Sequence, residues 1–305
     1  MKRISLLIVV LMFAISSTVF ALSIPKTHLV SVQWLAKNLN NPNLVIVDVR
    51  APSAYKAGHI PHAVNIPFYK FFQIKFSGNL KFYVAPPKQI ISVLRTGGIS
   101  NNSYVIFYTS NKKAKSFMFA ARALWSVYYY GVKHVALLHG GIGAWKAANK
   151  PISQKIFTPK ESRFSIKHMR LNVMATWPDI DAAYSTGKFT LVDARTKLYY
   201  EGKDTDKRLI RHGHIPRAIN IFVGNFSKKV GNYYELVGPQ QAKSIFEKAG
   251  VDLKKPMITY CNIGLLASGD WFVAKFLAGD KKVKVYDGSM VEYTRLMDRP
   301  IVKGD

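Results

Sequence analysis

Gly58-His59-Ile60-Pro61-His62-Ala63-Val64-Asn65-Ile66 returns later in the chain as Gly213-His214-Ile215-Pro216-Arg217-Ala218-Ile219-Asn220-Ile221. Seven of the nine positions are identical, and Val64 against Ile219 is conservative. Upstream of each stretch an apolar run ends in Asp-x-Arg. The first is Leu44-Val45-Ile46-Val47-Asp48-Val49-Arg50 and the second Leu191-Val192-Asp193-Ala194-Arg195. Short apolar runs of this kind read as buried strands. The chain is a duplication.

The order of signals is shared throughout. A helix-like segment precedes the first strand, around Val32 to Asn38 and again Pro178 to Ser185. A later strand, Tyr104 to Tyr108 or Met257 to Tyr260, leads to a loop and then a helix. A last strand follows near His134 to Leu138 or Val283 to Tyr286. Gly140-Gly141-Ile142-Gly143-Ala144-Trp145 then closes the first copy, and Gly288-Ser289-Met290-Val291-Glu292-Tyr293 the second. Strands alternating with helical patterns predict an α/β fold, with a parallel sheet flanked by helices in each copy. The expected boundaries are 28–150 and 171–303, joined by a polar, proline-marked linker over 151–170.

Residues 1–21 follow the secretory pattern. Lys2 and Arg3 start it, Ile4 to Ile15 is apolar, and Val19-Phe20-Ala21 offers a cleavage site. The apolar run is shorter than the ~20 residues of a membrane span, so stable membrane insertion is not expected. The sequence predicts a periplasmic or secreted protein. With 44 basic and 17 acidic residues the net charge is +27, a field that attracts anions. The basic residues are scattered and carry no nucleic-acid-binding motif, so nucleic acid is not an expected partner. A single cysteine excludes intramolecular disulfides and metal sites built from paired cysteines. His212-x-His214 has a metal-like spacing but no third ligand in the sequence around it. No metal or cofactor is expected.

That cysteine is Cys261, within Pro256-Met257-Ile258-Thr259-Tyr260-Cys261-Asn262-Ile263-Gly264-Leu265-Leu266-Ala267-Ser268. An apolar strand ends at the thiol, a glycine follows three residues on, and a helix begins near Leu265. Backbone N–H groups of Asn262, Ile263, Gly264, Leu265 and Leu266 can form a nest for an anion, reinforced by the helix dipole. A thiolate there would be a nucleophile and a good leaving group. The bland alternative is an inert, buried cysteine. Phosphatases built on a similar loop need an arginine six residues after the cysteine; Ala267 stands there and argues against that chemistry.

Taken together, Asp-x-Arg, Gly-His-Ile-Pro-x-Ala-x-Asn-Ile, a strand-terminal cysteine and Asp287-Gly288-Ser289 resemble the tandem-domain rhodanese-like sulfurtransferases (thiosulfate / 3-mercaptopyruvate type). The resemblance runs from about Val30 to Val302. It implies two α/β domains with five-stranded parallel sheets and an active loop in the C-terminal copy alone. Thr109 stands at the nucleophile's position in the N-terminal copy, which is therefore expected to be catalytically silent.

The resemblance implies that Cys261 carries a sulfane sulfur as a persulfide, cradled by the backbone of 262 to 266. Asp193 and Arg195 would brace the loop. The family's loops usually place a cationic or small polar residue two positions after the cysteine and a hydroxyl five after; Ile263 and Leu266 stand there. An arginine usually follows the Asp-x-Arg arginine by four, where this chain has Tyr199. Arg208 is the nearest match to a second substrate arginine, in a segment with Lys203, Lys207 and Arg211. The expected partners are a small anionic sulfur donor (thiosulfate, mercaptopyruvate or polysulfide) and a thiol or cyanide acceptor, with a protein persulfide as a further candidate. Two alternatives stay open: a sulfur carrier or binding module with little turnover on small donors, and a non-catalytic interaction protein.

Overall fold

The computed structural model describes residues 22–75 and 81–304. The signal-peptide reading of residues 1–21 lies outside the described residues, among which no helix is long and apolar enough to cross a membrane.

In the N-terminal copy, β1 (Leu29–Val30) leads to α1 (Val32–Lys37), β2 (Leu44–Asp48), α2 (Pro52–Lys56) and β3 (Ala63–Asn65). An antiparallel pair follows, β4 (Phe72–Lys75) and β5 (Lys81–Val84), then α3 (Pro87–Thr96). The copy ends with β6 (Tyr104–Tyr108), α4 (Met118–Tyr129), β7 (His134–Leu138) and α5 (Gly141–Ala147). The C-terminal copy repeats the order. It runs β8 (Met174–Ala175), α6 (Trp177–Thr186), β9 (Thr190–Asp193), α7 (Lys197–Tyr200), β10 (Ile219–Asn220) and the antiparallel pair β11 (Ser227–Val230) and β12 (Tyr233–Leu236). Then come α8 (Pro239–Lys248), β13 (Met257–Tyr260), α9 (Leu265–Phe272), β14 (Lys284–Tyr286) and α10 (Ser289–Tyr293).

Each copy holds a five-stranded parallel sheet, ordered β1-β7-β6-β2-β3 and, in the same spatial sense, β8-β14-β13-β9-β10. The central strands are apolar because helices cover both faces. The Gly-His-Ile-Pro turns explain their own repetition. His59 stacks on Tyr55 with ring centroids 3.7 Å apart, and His214 stacks on Tyr200 at 3.6 Å. Nδ1 of each histidine meets the carbonyl of that same tyrosine. These histidines build turns.

The linker is not a free tether. Ser153 exchanges both backbone hydrogen bonds with His59, Arg95 Nε donates to the Phe164 carbonyl, and Arg170 Nη1 donates to that of Tyr128. The copies meet along α4 and α9, where Tyr128 lies 5.6 Å from Trp271. One apolar core holds Leu124 and Trp125 of one copy with Trp271 and Val273 of the other. Each antiparallel pair reaches across to the other copy. Val84 donates to the Asp287 carboxylate, while Asn111 and Tyr234 exchange hydrogen bonds at 2.8 and 3.0 Å. The reach is reciprocal.

Candidate active site

Cys261 follows β13 directly and is 1% exposed. Its loop is held by the segment after β14. Ser289 Oγ accepts the N–H of Cys261 at 3.1 Å and that of Gly264 at 3.0 Å, and donates to the Tyr286 carbonyl at 2.7 Å. The N–H groups of Met290 and Val291 donate to the carbonyls of Cys261 and Asn262. Ser289 sits at φ +49°, a left-handed conformation that glycine would occupy with less strain. The hydroxyl that ties both ends of the loop explains a serine there.

Gly264 caps α9 at φ +73°. A Cβ on it would lie 2.7 Å from the Asp287 carbonyl oxygen and 2.9 Å from Arg122 Nη1, so the position is closed to side chains. Its N–H is committed to Ser289, which corrects its expected place in the anion nest. The N–H groups of Asn262, Ile263, Leu265 and Leu266 make no hydrogen bond to the described protein and remain as donors. Those of Leu265 and Leu266 are open because the first turn of a helix has no intrahelical acceptor.

Behind the loop, Arg195 Nε and Nη2 clasp Asp193, Nη2 also donates to the Gly213 carbonyl, and Nη1 donates to Asn262 Oδ1 at 3.2 Å. Asp48 and Arg50 repeat the Asp–Arg–Gly part of this arrangement. Asn262 continues the chain outward, its Nδ2 donating to Asp206 Oδ2 at 2.8 Å. Asp206 is clasped in turn by Arg208 Nε and Nη2. The Asn262 side chain is therefore a bridge between two guanidinium–carboxylate pairs. Burial opposes the charge on Arg195, but Asp193 outweighs it and holds the group above its ordinary range, with Cys261 adding in the same direction. Arg208 is raised chiefly by its hydrogen bond to Asp206, and Cys261 and Tyr199 also contribute. Half-buried Tyr199 is pushed up by burial and then by Asp204 and Asp206.

The structure brings together Cys261, Asn262, Arg195, Asp193, Arg208 and Tyr199. It sets apart two residues expected to steer a donor. Lys203 pairs with Glu201, and Arg211 is spent on the carbonyls of Thr294, Leu296 and Arg299.

Sequence reasoning missed what α4 of the N-terminal copy contributes. Arg122, on α4 and fully buried, pairs with Asp287 and donates to the Gly264 carbonyl. Its guanidinium also lies 4.1 Å from the Phe72 ring centroid. Asp287 Oδ2 accepts the Val84 N–H at 2.6 Å, and Tyr83 donates its hydroxyl to Glu292. Phe72, Met118 and Leu265 form a small buried cluster, with Phe68, Phe119, Ile263 and Leu266 packed on it. The loop's apolar residues therefore face an aromatic wall from the other copy. The one available signal was Arg122 itself, the only charged side chain in the twelve residues of α4.

The rhodanese-like domain model matches the chain twice, over residues 31–148 and 176–296. The chain belongs to the tandem-domain rhodanese-like sulfurtransferases. Among related rhodaneses, a Mycolicibacterium smegmatis protein named "Putative thiosulfate sulfurtransferase" is 32% identical over 283 residues, 90% of this chain and 98% of its own. The "Sulfur carrier protein TtuD" of Thermus thermophilus is 29% identical over 287 residues, 91% of this chain and 97% of its own. The fold matches that of SseA from Escherichia coli, a 3-mercaptopyruvate sulfotransferase, at TM-score 0.74 and 24% identity, covering 86% of this chain and 98% of that one. An anaerobic ergothioneine biosynthesis enzyme from Chlorobium limicola matches at TM-score 0.78 and 22% identity, covering 92% of this chain and 71% of the other. These two likenesses concern the fold.

Proposed function

We propose that this rhodanese moves a sulfane sulfur through a persulfide on Cys261, in the C-terminal copy. The thiolate attacks the outer sulfur of a small anionic donor such as thiosulfate, mercaptopyruvate or polysulfide. The donor's bond to that sulfur breaks, and its remainder leaves with the electron pair. The Cys261 persulfide anion then gives up its terminal sulfur to cyanide or a thiolate acceptor, and the sulfur–sulfur bond electrons return to Cys261. Neither half-reaction needs a metal or an external oxidant. In this scheme the free N–H groups of Asn262, Ile263, Leu265 and Leu266 cradle the persulfide, Arg208 and Tyr199 receive the donor's anionic end, and Asp193 with Arg195 holds the loop. The N-terminal copy, with Thr109 at the nucleophile's position, transfers no sulfur. The observation that carries the reading is the chain's only thiol at the head of a loop with open N–H donors, held by Arg195 through the neighbouring Asn262. The pattern of residues 1–21 supports a site of action in the periplasm or outside the cell.

The aromatic wall favours a second reading in which the physiological donor or acceptor is a protein persulfide. Phe68, Phe119, Ile263 and Leu266 offer an apolar approach where a sulfonate would prefer cations. Intact-mass measurement tests the first reading. The protein is incubated with thiosulfate, mercaptopyruvate or polysulfide and then with cyanide, beside Cys261→Ser. One added sulfur that cyanide removes, absent in the variant, is the expected result and names the donor. No adduct from any donor, with Cys261 slow to alkylate, would overturn the enzymatic reading.

A further inference from the structure

The silent copy keeps a counterpart of the Cys261 site, and that counterpart is open. A cavity of about 800 Å³ lies between the loop after β6, the start of α5 and the turn joining β11 to β12. Three differences between the copies explain it. Arg50 and Gly58 are eight residues apart where Arg195 and Gly213 are eighteen apart, so the covering segment that carries Asp206 and Arg208 has no equivalent. Ser110 stands in place of Asn262, too short to bridge outward. Gly143 stands in place of Val291, and a Cβ there would come 2.4 Å from Tyr233 Cβ, so only glycine lets the Tyr233 ring lie against α5.

The chemistry of the lining is one-sided. Arg50, Lys112 and Lys146 supply three cations, and none of the lining residues is acidic. Arg50 binds Asp48 and the Gly58 carbonyl through Nε and Nη2, as Arg195 binds its partners, but Nη1 lacks the partner that Asn262 gives Arg195. Ser110 borders the same space, and Ile142, Val230 and Tyr233 provide its apolar part. A volume of this order fits a whole small organic molecule, well beyond a bare inorganic anion.

We propose that this cavity is a second ligand site, separate from the Cys261 site, for an amphipathic organic anion. An acidic group would be held by Arg50 Nη1, Ser110 and the two lysines, and an aromatic or aliphatic body would lie on Tyr233 and Ile142. The site binds; with threonine at the nucleophile's position it transfers no sulfur.

Calorimetric titration with 2-naphthalenesulfonate tests the assignment. Both lysines are exposed, so Lys112→Glu/Lys146→Glu should fold normally, which an unchanged melting temperature would verify. One molecule per chain should bind, weakened at least tenfold in that double variant. A matched charge reversal, Lys254→Glu/Lys255→Glu ahead of β13, should leave it within twofold. Arg208→Ala and Cys261→Ser should also bind normally, and the uncharged 2-naphthalenemethanol should not bind. Equal weakening by both lysine pairs would mean nonspecific attraction to a cationic protein and would overturn the proposal. Loss in Arg208→Ala would place the probe in the Cys261 site and overturn it too, as would absence of binding at millimolar probe.

Discussion

Arg122 and Asp287 come from different copies of the repeat and meet as a buried ion pair beneath the Cys261 loop. Asp287 is two residues before Ser289, whose hydroxyl ties both ends of that loop, and Arg122 also holds the Gly264 carbonyl. A residue of the N-terminal copy thus sets the shape of the loop that carries the thiol.

Removing one partner of such a pair leaves a charge buried without compensation, at a cost of roughly 3–5 kcal/mol. Arg122→Ala is expected to lose stability of that order in urea denaturation and to form the Cys261 persulfide more slowly. Arg122→Lys should recover part of both. A loss under 1 kcal/mol with normal persulfide formation would show that the pair is dispensable.

Ser289→Ala strands two buried N–H donors, those of Cys261 and Gly264, at about 1–3 kcal/mol each when a buried donor is left unpaired. Ser289→Gly removes the same hydroxyl while relieving the left-handed backbone. Both variants should lose most sulfur-transfer activity, with the glycine form the more stable in thermal melts. Full activity in either would mean the loop holds its shape without the hydroxyl.

Arg208→Ala should raise KM for an anionic donor about tenfold or more and leave the rate with a neutral polysulfane much less affected. The same residue governs an acid-limb effect. Asp206 is depressed below the ordinary aspartate range, first by its hydrogen bond to Arg208. A depressed carboxyl contributes stability above its unfolded pKa, and that contribution is lost as pH falls through the folded value. The stability gap between wild type and Asp206→Asn should therefore close as pH drops below about 4. In an Arg208→Ala background the gap should be small at every pH.

Asp270 behaves in the opposite sense. It is fully buried on α9 with both carboxylate oxygens unpartnered, and burial, then the charge of Asp193, pushes it well above the ordinary range. A raised carboxyl favours the fold at low pH and penalises it as pH climbs past the unfolded value. Relative to Asp270→Asn, the wild type should lose about 1.4 kcal/mol per pH unit above pH ~4 for as long as Asp270 stays protonated. Paired urea titrations at pH 4, 5, 6 and 7 read the slope directly; parallel curves would show an ionised Asp270.

What the sequence disclosed was whatever repeats or lies close along the chain. The Asp-x-Arg pairs and the histidine turns could be read because each appears twice. Cys261 was legible because a strand end, a thiol and a glycine are consecutive. Contacts between distant residues left no such trace. Ser289 reaches the Gly264 N–H from 25 residues further on, and nothing local to Gly264 says that this donor is taken. Phe119 lies in a helix whose apolar residues fit an ordinary core, and only docking of the copies puts it opposite Ile263 and Leu266. Arg211 looked like a free cation of a polar loop, yet carbonyls at the end of α10 claim it.

The crossed reach of β4–β5 and β11–β12 has a consequence for how the two copies are inherited. Each half is the roof of the other, so a gene cut at the linker would yield two polypeptides with exposed floors, soluble only when made side by side. A duplicated domain in this arrangement is kept as architecture whether or not it holds a nucleophile of its own.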